Sequence, residues 1–294
     1  MSCQGHQPTE RGPQPEDRFV DVRGVRLRYV DWGDNGPPLL FLHGDKRTAR
    51  SWDAVARDLF DRFHVLSLDS RGHGDSDWPD SGYTFAERTE DLAQFCDAVG
   101  LRGTIGVGHS SGGVVMTLLA DRTPGLFSGL VLLEPRVTVD ETFQRMVSGR
   151  SAGPRRTWGS RQELYDYLKG HRMAGRWRDD VIRDVVDHEA TELPNGQLDM
   201  KWSDAAMDSR ERQGDYVDLK PAFRRLGIPI LFILSDDRQH QQGFIGLRPI
   251  AEQVPGFNLL TVNDSGHNMY MERPDAVSRA ISAFASGESL PPAI

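Results

Sequence analysis

The sequence predicts an α/β fold in which a largely parallel sheet is covered on both faces by helices. Three observations carry this. Short apolar runs alternate with amphipathic helical stretches along most of the chain. One such run leads directly into Gly108-His109-Ser110-Ser111-Gly112, and helical composition follows at once. The alternation then lapses between about Thr138 and Lys220, where the pattern is of short helices rich in Arg and Trp, before strand character returns.

Taken in order, Phe19–Val22 and Val25–Trp32 flank Arg23-Gly24 and read as a hairpin with a tight turn. Pro38–Leu42 is a buried strand that ends at His43-Gly44, and Trp52–Leu59 has a helical pattern. His64–Leu68 is the next strand, closed by Asp69-Ser70-Arg71-Gly72-His73-Gly74. Thr84–Val99 reads as an amphipathic helix with Phe85, Leu92, Phe95 and Val99 on one side. Thr104–Val107 is a strand, Ser111–Leu119 a helix, and Leu130–Leu133 a sixth strand. Pro229–Leu234 and Phe257–Val262 complete the sheet. The expected organisation is a polar, flexible tail over 1–18, a core domain from 19–137 and 221–294, and a helical cap or lid inserted over 138–220.

Composition narrows the function. The chain has 294 residues, 38% of them hydrophobic and 27% charged, an ordinary globular profile. A net charge of −8 repels nucleic acid and anionic membrane surfaces, so the expected partner is a small molecule. Cys3 lies in the tail and Cys96 on a helix, which argues against a structural disulfide, and neither has metal-ligand spacing. The first 18 residues carry no apolar run of the secretory type, and a cytoplasmic location is expected.

The chemistry concentrates in Gly108–Gly112. A serine hydroxyl is a poor nucleophile until a base takes its proton and donors hold the resulting oxyanion. A sharp strand-to-helix turn exposes the hydroxyl, and flanking glycines remove side chains that would collide there. The turn also aims the Ser111 N–H at the reaction centre, with the positive end of a helix dipole behind it.

With His43-Gly44, Asp69-x-Arg71-Gly72-x-Gly74-x-Ser76, the Ser110 turn and Gly266-His267, the chain from Phe19 to Ala285 resembles the α/β-hydrolase family of the serine-esterase type. The resemblance implies an eight-stranded, mostly parallel sheet with a cap after strand six. It implies Ser110 as nucleophile, His267 as general base, and the N–H groups of Asp45 and Ser111 as the oxyanion hole, with no cofactor or metal. For the acid that orients His267 it points to Asp237, with Asp236 beside it. Ser235 stands where the family has glycine, and Glu134 at the end of strand six is a further candidate, because some relatives keep the acid there. His43 and His109 frame the site, while His73 and His240 have no assigned role.

Basic residues give two readings of the substrate. Lys46, Arg47 and Arg50 follow the oxyanion loop, and between 145 and 178 there are nine Lys or Arg against two acids. They are either solvated helix faces, or Arg47, Arg50 or Arg136 clamps a substrate carboxylate through its planar fork. Phe143, Met146, Trp158 and Trp177 supply an apolar wall for an alkyl ester. The stretches His43–Thr48 and Phe143–Val147 are similar to bacterial monoalkyl phthalate hydrolases. The expected reaction is therefore hydrolysis of a carboxylic ester, an acidic monoester in particular, through an acyl-enzyme. The alternatives are a C–C bond hydrolase of ring-cleavage products, a lactonase, or a non-enzymatic small-molecule receptor on the same fold. Epoxide hydrolases and haloalkane dehalogenases place an aspartate where Ser110 stands, which counts against them.

Overall fold

The computed structural model describes residues 14–142, 144, 155–208, 214–238, 244 and 246–294. Its main sheet has eight strands: β1 (Glu16–Val22), β2 (Val25–Asp31), β3 (Pro38–Leu42), β4 (His64–Leu68), β5 (Thr104–His109), β6 (Phe127–Leu133), β7 (Ile230–Ser235) and β8 (Phe257–Val262). They lie in the order β1-β2-β4-β3-β5-β6-β7-β8. β2 runs antiparallel to β1 and β4, and every pairing from β4 to β8 is parallel. Because β3 sits between β4 and β5, the loops that leave β3, β4 and β5 emerge side by side at the carboxyl edge. That is where open α/β sheets bind their ligands.

Strand alternation divides the core. Leu39 and Phe41 of β3 face one way and pack with Trp52, Val55 and Ile281. Leu40 and Leu42 face the other way, with Leu92, Phe95, Met116 and Leu119. The main helices are α1 (Asp53–Arg57), α2 (Phe85–Ala98), α3 (Ser111–Arg122), α4 (Arg161–Gly170), α5 (Asp179–His188), α6 (Lys220–Arg225), α7 (Leu247–Gln253) and α8 (Pro274–Ala285). A capping box starts α2: the Thr84 hydroxyl accepts the Glu87 N–H, and the Glu87 carboxylate accepts the Thr84 N–H.

Two boundaries differ from the sequence reading. β1 begins at Glu16, inside the stretch expected to be a tail. Ion pairs from Arg18 to Asp31 and from Asp17 to Arg28 fasten those residues to β2, a cross-strand effect that composition alone does not display. The stretch between β6 and β7 also contains strand. Thr138–Val139 pairs with Val217–Asp218 across its base, and Ala190–Glu192 pairs with Leu198–Met200 as a hairpin. Both pairs are too short to give a periodic signal. The helices of this segment are amphipathic: α5 buries Val181, Ile182, Val185 and Val186, which join the same apolar cluster as Trp52 and Tyr270. No helix among the described residues is long and apolar enough to cross a membrane.

Candidate active site

Ser110 occupies the turn between β5 and α3 with φ 52° and ψ −121°, a conformation that costs energy for a residue with a Cβ. The surrounding glycines make the turn possible. A Cβ on Gly108 would lie 2.6 Å from Gly113 Cα, and one on Gly112 would lie 2.4 Å from the His43 carbonyl oxygen. Ser110 is not alone in its strain. Of the five described non-glycine residues with positive φ, four lie on loops of this site: Lys46, Ser110, Glu134 and Asp264. Concentrated strain of this kind is held by the surrounding structure where function needs it.

His267 reaches the site on the loop after β8. Asp236 accepts the backbone N–H groups of Asp264 (2.8 Å) and Ser265 (3.1 Å), and Glu272 accepts that of Gly266 (2.9 Å). The Nε2–H of His109, the residue before Ser110, donates to the His267 carbonyl at 2.9 Å, and the two imidazoles lie 4.6 Å apart. His267 Nδ1 is 2.9 Å from Glu134 Oε2. Donation from Nδ1 to a carboxylate leaves Nε2 as the acceptor, the tautomer a general base requires. Among the described residues no hydrogen bond joins the Ser110 hydroxyl to His267, a contact that commonly tightens only with substrate in place.

The acid beside His267 is thus Glu134, not Asp237. Asp237 is half exposed and pairs with Arg176 at 2.7 Å, while Asp236 is spent on the loop backbone. The reason is local. Ser235, in the position expected to be glycine, is buried and gives both its N–H (2.9 Å) and its hydroxyl (2.8 Å) to Glu134 Oε1. With one oxygen so held, the other is presented to the imidazole.

The β3 loop runs beside Ser110: a Cβ on Gly44 would lie 2.9 Å from Ser110 Cβ. Asp45 and Ser111, whose N–H groups were expected to form the oxyanion hole, are joined through their side chains. Ser111 Oγ donates to Asp45 Oδ1 at 2.7 Å. The buried Arg88 of α2 donates to Ser111 Oγ at 3.2 Å and lies 3.4 Å from Asp45 Oδ1. His73 accepts the Lys46 N–H at 3.4 Å, with its other nitrogen on the Arg71 carbonyl. His43 accepts the Ser70 N–H and donates to the Gly44 carbonyl. Burial pushes the His43 imidazole down to about 4, so it stays neutral as this network demands. Sequence reading assigned no role to Arg88 or His73, because nothing in a linear pattern says that α2 and the β4 loop pack beneath the β3 loop.

The candidate clamp residues separate. Arg50 donates to Asp53 at 2.7 Å, and Arg136 donates to the Thr138 carbonyl at 3.1 Å. Arg47 lies 3.4 Å from the buried Glu189 and 5.0 Å over the Trp177 ring. Trp158 is buried against Tyr167. Most of the basic residues over 155–178 are paired: Arg155 with Asp199, Arg161 with Asp187, Lys169 with Asp179, Arg176 with Glu272, and Arg178 with Asp180. Phe143, Arg145, Met146, Val147, Arg150 and His240 lie outside the described residues. Asp53, Asp184 and His188 place ligand atoms within 4.8 Å of one another, but Arg50 and Arg57 already hold the two carboxylates. A cation there would displace existing ion pairs.

The segment between β6 and β7 is tied to the rest of the chain at several points. Arg57 of α1 forms a two-bond pair with Asp184 of α5, the Arg178 N–H donates to the Met271 carbonyl, and the Ser203 N–H donates to that of Gly72.

Residues 39–280 match the model of the alpha/beta hydrolase family. A 2-(acetamidomethylene)succinate hydrolase of Mesorhizobium japonicum is 27% identical over 273 residues, covering 91% of this chain and 94% of its own. An esterase of Mycobacterium tuberculosis is 26% identical over 276 residues, covering 90% and 88%. A non-heme chloroperoxidase of Streptomyces lividans is 25% identical over 277 residues, covering 89% and 96%. Among solved structures, that of E-2-(acetamidomethylene)succinate hydrolase superposes with a TM-score of 0.80 at 24% identity over 93% of this chain and all of its own. The chain belongs to the alpha/beta hydrolase family, and its activity in outline is that of a hydrolase.

Proposed function

From this family membership we propose that the protein cleaves a carboxylic ester through an acyl-enzyme on Ser110. His267 takes the Ser110 proton as the hydroxyl attacks the ester carbonyl, and Glu134 orients the imidazole and stabilises its cation. The Asp45 and Ser111 N–H groups hold the oxyanion. The alcohol leaves with the proton from His267, and water activated by the same imidazole releases the acid. One observation carries the reading: the 2.9 Å bond between His267 and Glu134, on a loop tied by His109 to the strained Ser110 turn.

The substrate in this reading is an acidic monoester such as a monoalkyl phthalate, with residues 138–220 as its cap. Arg47 supports it, because that arginine stands three residues beyond Gly44 and faces the inserted segment. Two measurements test the proposal. Ser110→Ala should lose turnover by about three orders of magnitude or more while substrate binding survives. The wild-type protein should show a higher kcat/KM for monobutyl phthalate than for butyl benzoate. Equal values would leave an esterase without an acid-binding site.

A further inference from the structure

Glu189 is the least satisfied charged group among the described residues. It ends α5, where its N–H donates to the Val185 carbonyl and its own carbonyl accepts the Lys201 N–H, so its backbone is fixed between helix and hairpin. The side chain is 1% exposed, and neither carboxyl oxygen has a hydrogen-bond partner. Arg47 Nη1 lies 3.4 Å away without hydrogen-bond geometry, and it too is buried with no acceptor. The contrast with Arg57 and Asp184 is direct: that pair closes two bonds of 2.7 and 2.8 Å. Buried arginine and carboxylate ordinarily do the same. Leaving such groups without hydrogen bonds costs stability, and departures of this kind collect at functional sites. Trp177, whose ring lies under the Arg47 guanidinium, has a buried Nε1–H that also finds no acceptor.

Building on the esterase reading, we infer that Arg47 and Glu189 form the subsite for the substrate's second carboxylate, with Glu189 binding it as the neutral acid. The chemistry follows from the donors. A protonated carboxyl offers one O–H, the guanidinium offers N–H groups, and a substrate carboxylate accepts from both while neutralising Arg47. The surroundings favour the protonated form. Burial pushes the Glu189 carboxyl up to about 7, Arg47 opposes that shift, and Asp69, Asp53 and Asp184 add to it. Those three aspartates are paired with Arg28, Arg50 and Arg57, and the His188 pKa is lowered, chiefly by burial. The Lys201 ammonium is turned to Asp75, and the Tyr270 hydroxyl to Ser51. No proton is consumed over the cycle: below about pH 7 Glu189 already carries its proton and keeps it while the carboxylate binds and the product leaves.

The consequence is a pH dependence confined to the charged ester. Above the Glu189 pKa the ionised side chain claims Arg47 and repels the incoming carboxylate. The experiment is the ratio of KM for monobutyl phthalate to KM for butyl benzoate from pH 5.5 to 9, a comparison that divides out any pH effect common to the two esters. In the wild-type protein the ratio should rise about tenfold per pH unit above pH ~7. Glu189→Gln, which is neutral at every pH, should make the ratio flat, and Arg47→Met should bring it near unity. A flat wild-type ratio with both esters turned over would overturn the Glu189 assignment and leave the esterase reading intact. So would a ratio that still titrates in Glu189→Gln. Turnover that survives in Ser110→Ala would instead sink the esterase reading.

Discussion

At the scale of single residues, the choice of acid decides how the base is oriented. Glu134 and Asp237 both stand at carboxyl ends of sheet strands, but their surroundings assign them different work. Glu134 is 2% exposed and shared between Ser235 and His267, whereas Asp237 is tied to Arg176. Glu134→Gln keeps the shape while removing the charge that stabilises the imidazolium, and it should lower kcat by about a hundredfold to ten-thousandfold. Asp237→Asn should stay within severalfold of wild type, measured on the same ester. The reverse order would return the acid to the β7 loop. The positions of Ser110 and His267 were legible in the sequence because a glycine-flanked turn between strand and helix, and a Gly-His after the last strand, are local patterns. The acid was legible only as a choice of three, Asp237 ahead of Asp236 and Glu134, because Ser235 departs from the pattern that fixes its register. Arg88 and Glu189 were not legible at all: they meet their partners 23 and 142 positions away in the chain.

At the scale of elements, the site is a junction of β3, β5 and α3 supported from below by α2. Helix α2 is started by the Thr84–Glu87 box and delivers Arg88 one turn later to the side chains of Asp45 and Ser111. That placement answers an electrostatic problem. In the mechanism we propose, a carboxylate on the residue whose N–H holds the oxyanion would oppose negative charge developing there, and the Arg88 guanidinium offsets it. Arg88→Met should therefore lower kcat about tenfold to a hundredfold on charged and neutral esters alike. Adding Asp45→Asn to that variant should recover part of the loss, since the uncompensated charge goes with it. If the double variant is no faster than Arg88→Met, the arginine acts through packing and not through its charge. The strand and helix cores were readable because each is periodic over many residues. The pairs at 138–139 with 217–218 and at 190–192 with 198–200 were not, since two or three residues carry no period.

At the scale of the whole molecule, buried titratable groups set how stability responds to pH. Glu189 moves from an ordinary 4.5 up to about 7 and Asp53 from 3.8 up to about 7, both chiefly through burial. In that window the folded protein binds protons that the unfolded chain releases, so these groups favour the fold at low pH and lose that contribution as pH rises towards 7. The neutral imidazoles of His43 and His73 act in the opposite sense. Their burial lowers their pKa values, so the unfolded chain gains protons first as pH falls below 6.5. Opposing slopes of this kind flatten the wild-type profile and hide each contributor, and a single neutral replacement uncovers one of them. Relative to wild type, Glu189→Gln should gain roughly 2–3 kcal/mol of unfolding free energy between pH 5 and pH 8, read from urea denaturation at the two pH values. The sign is the diagnostic part. A gain with rising pH means that the native fold pays to ionise this buried carboxyl, whereas a loss would mean that ionised Glu189 and Arg47 form an ordinary stabilising pair.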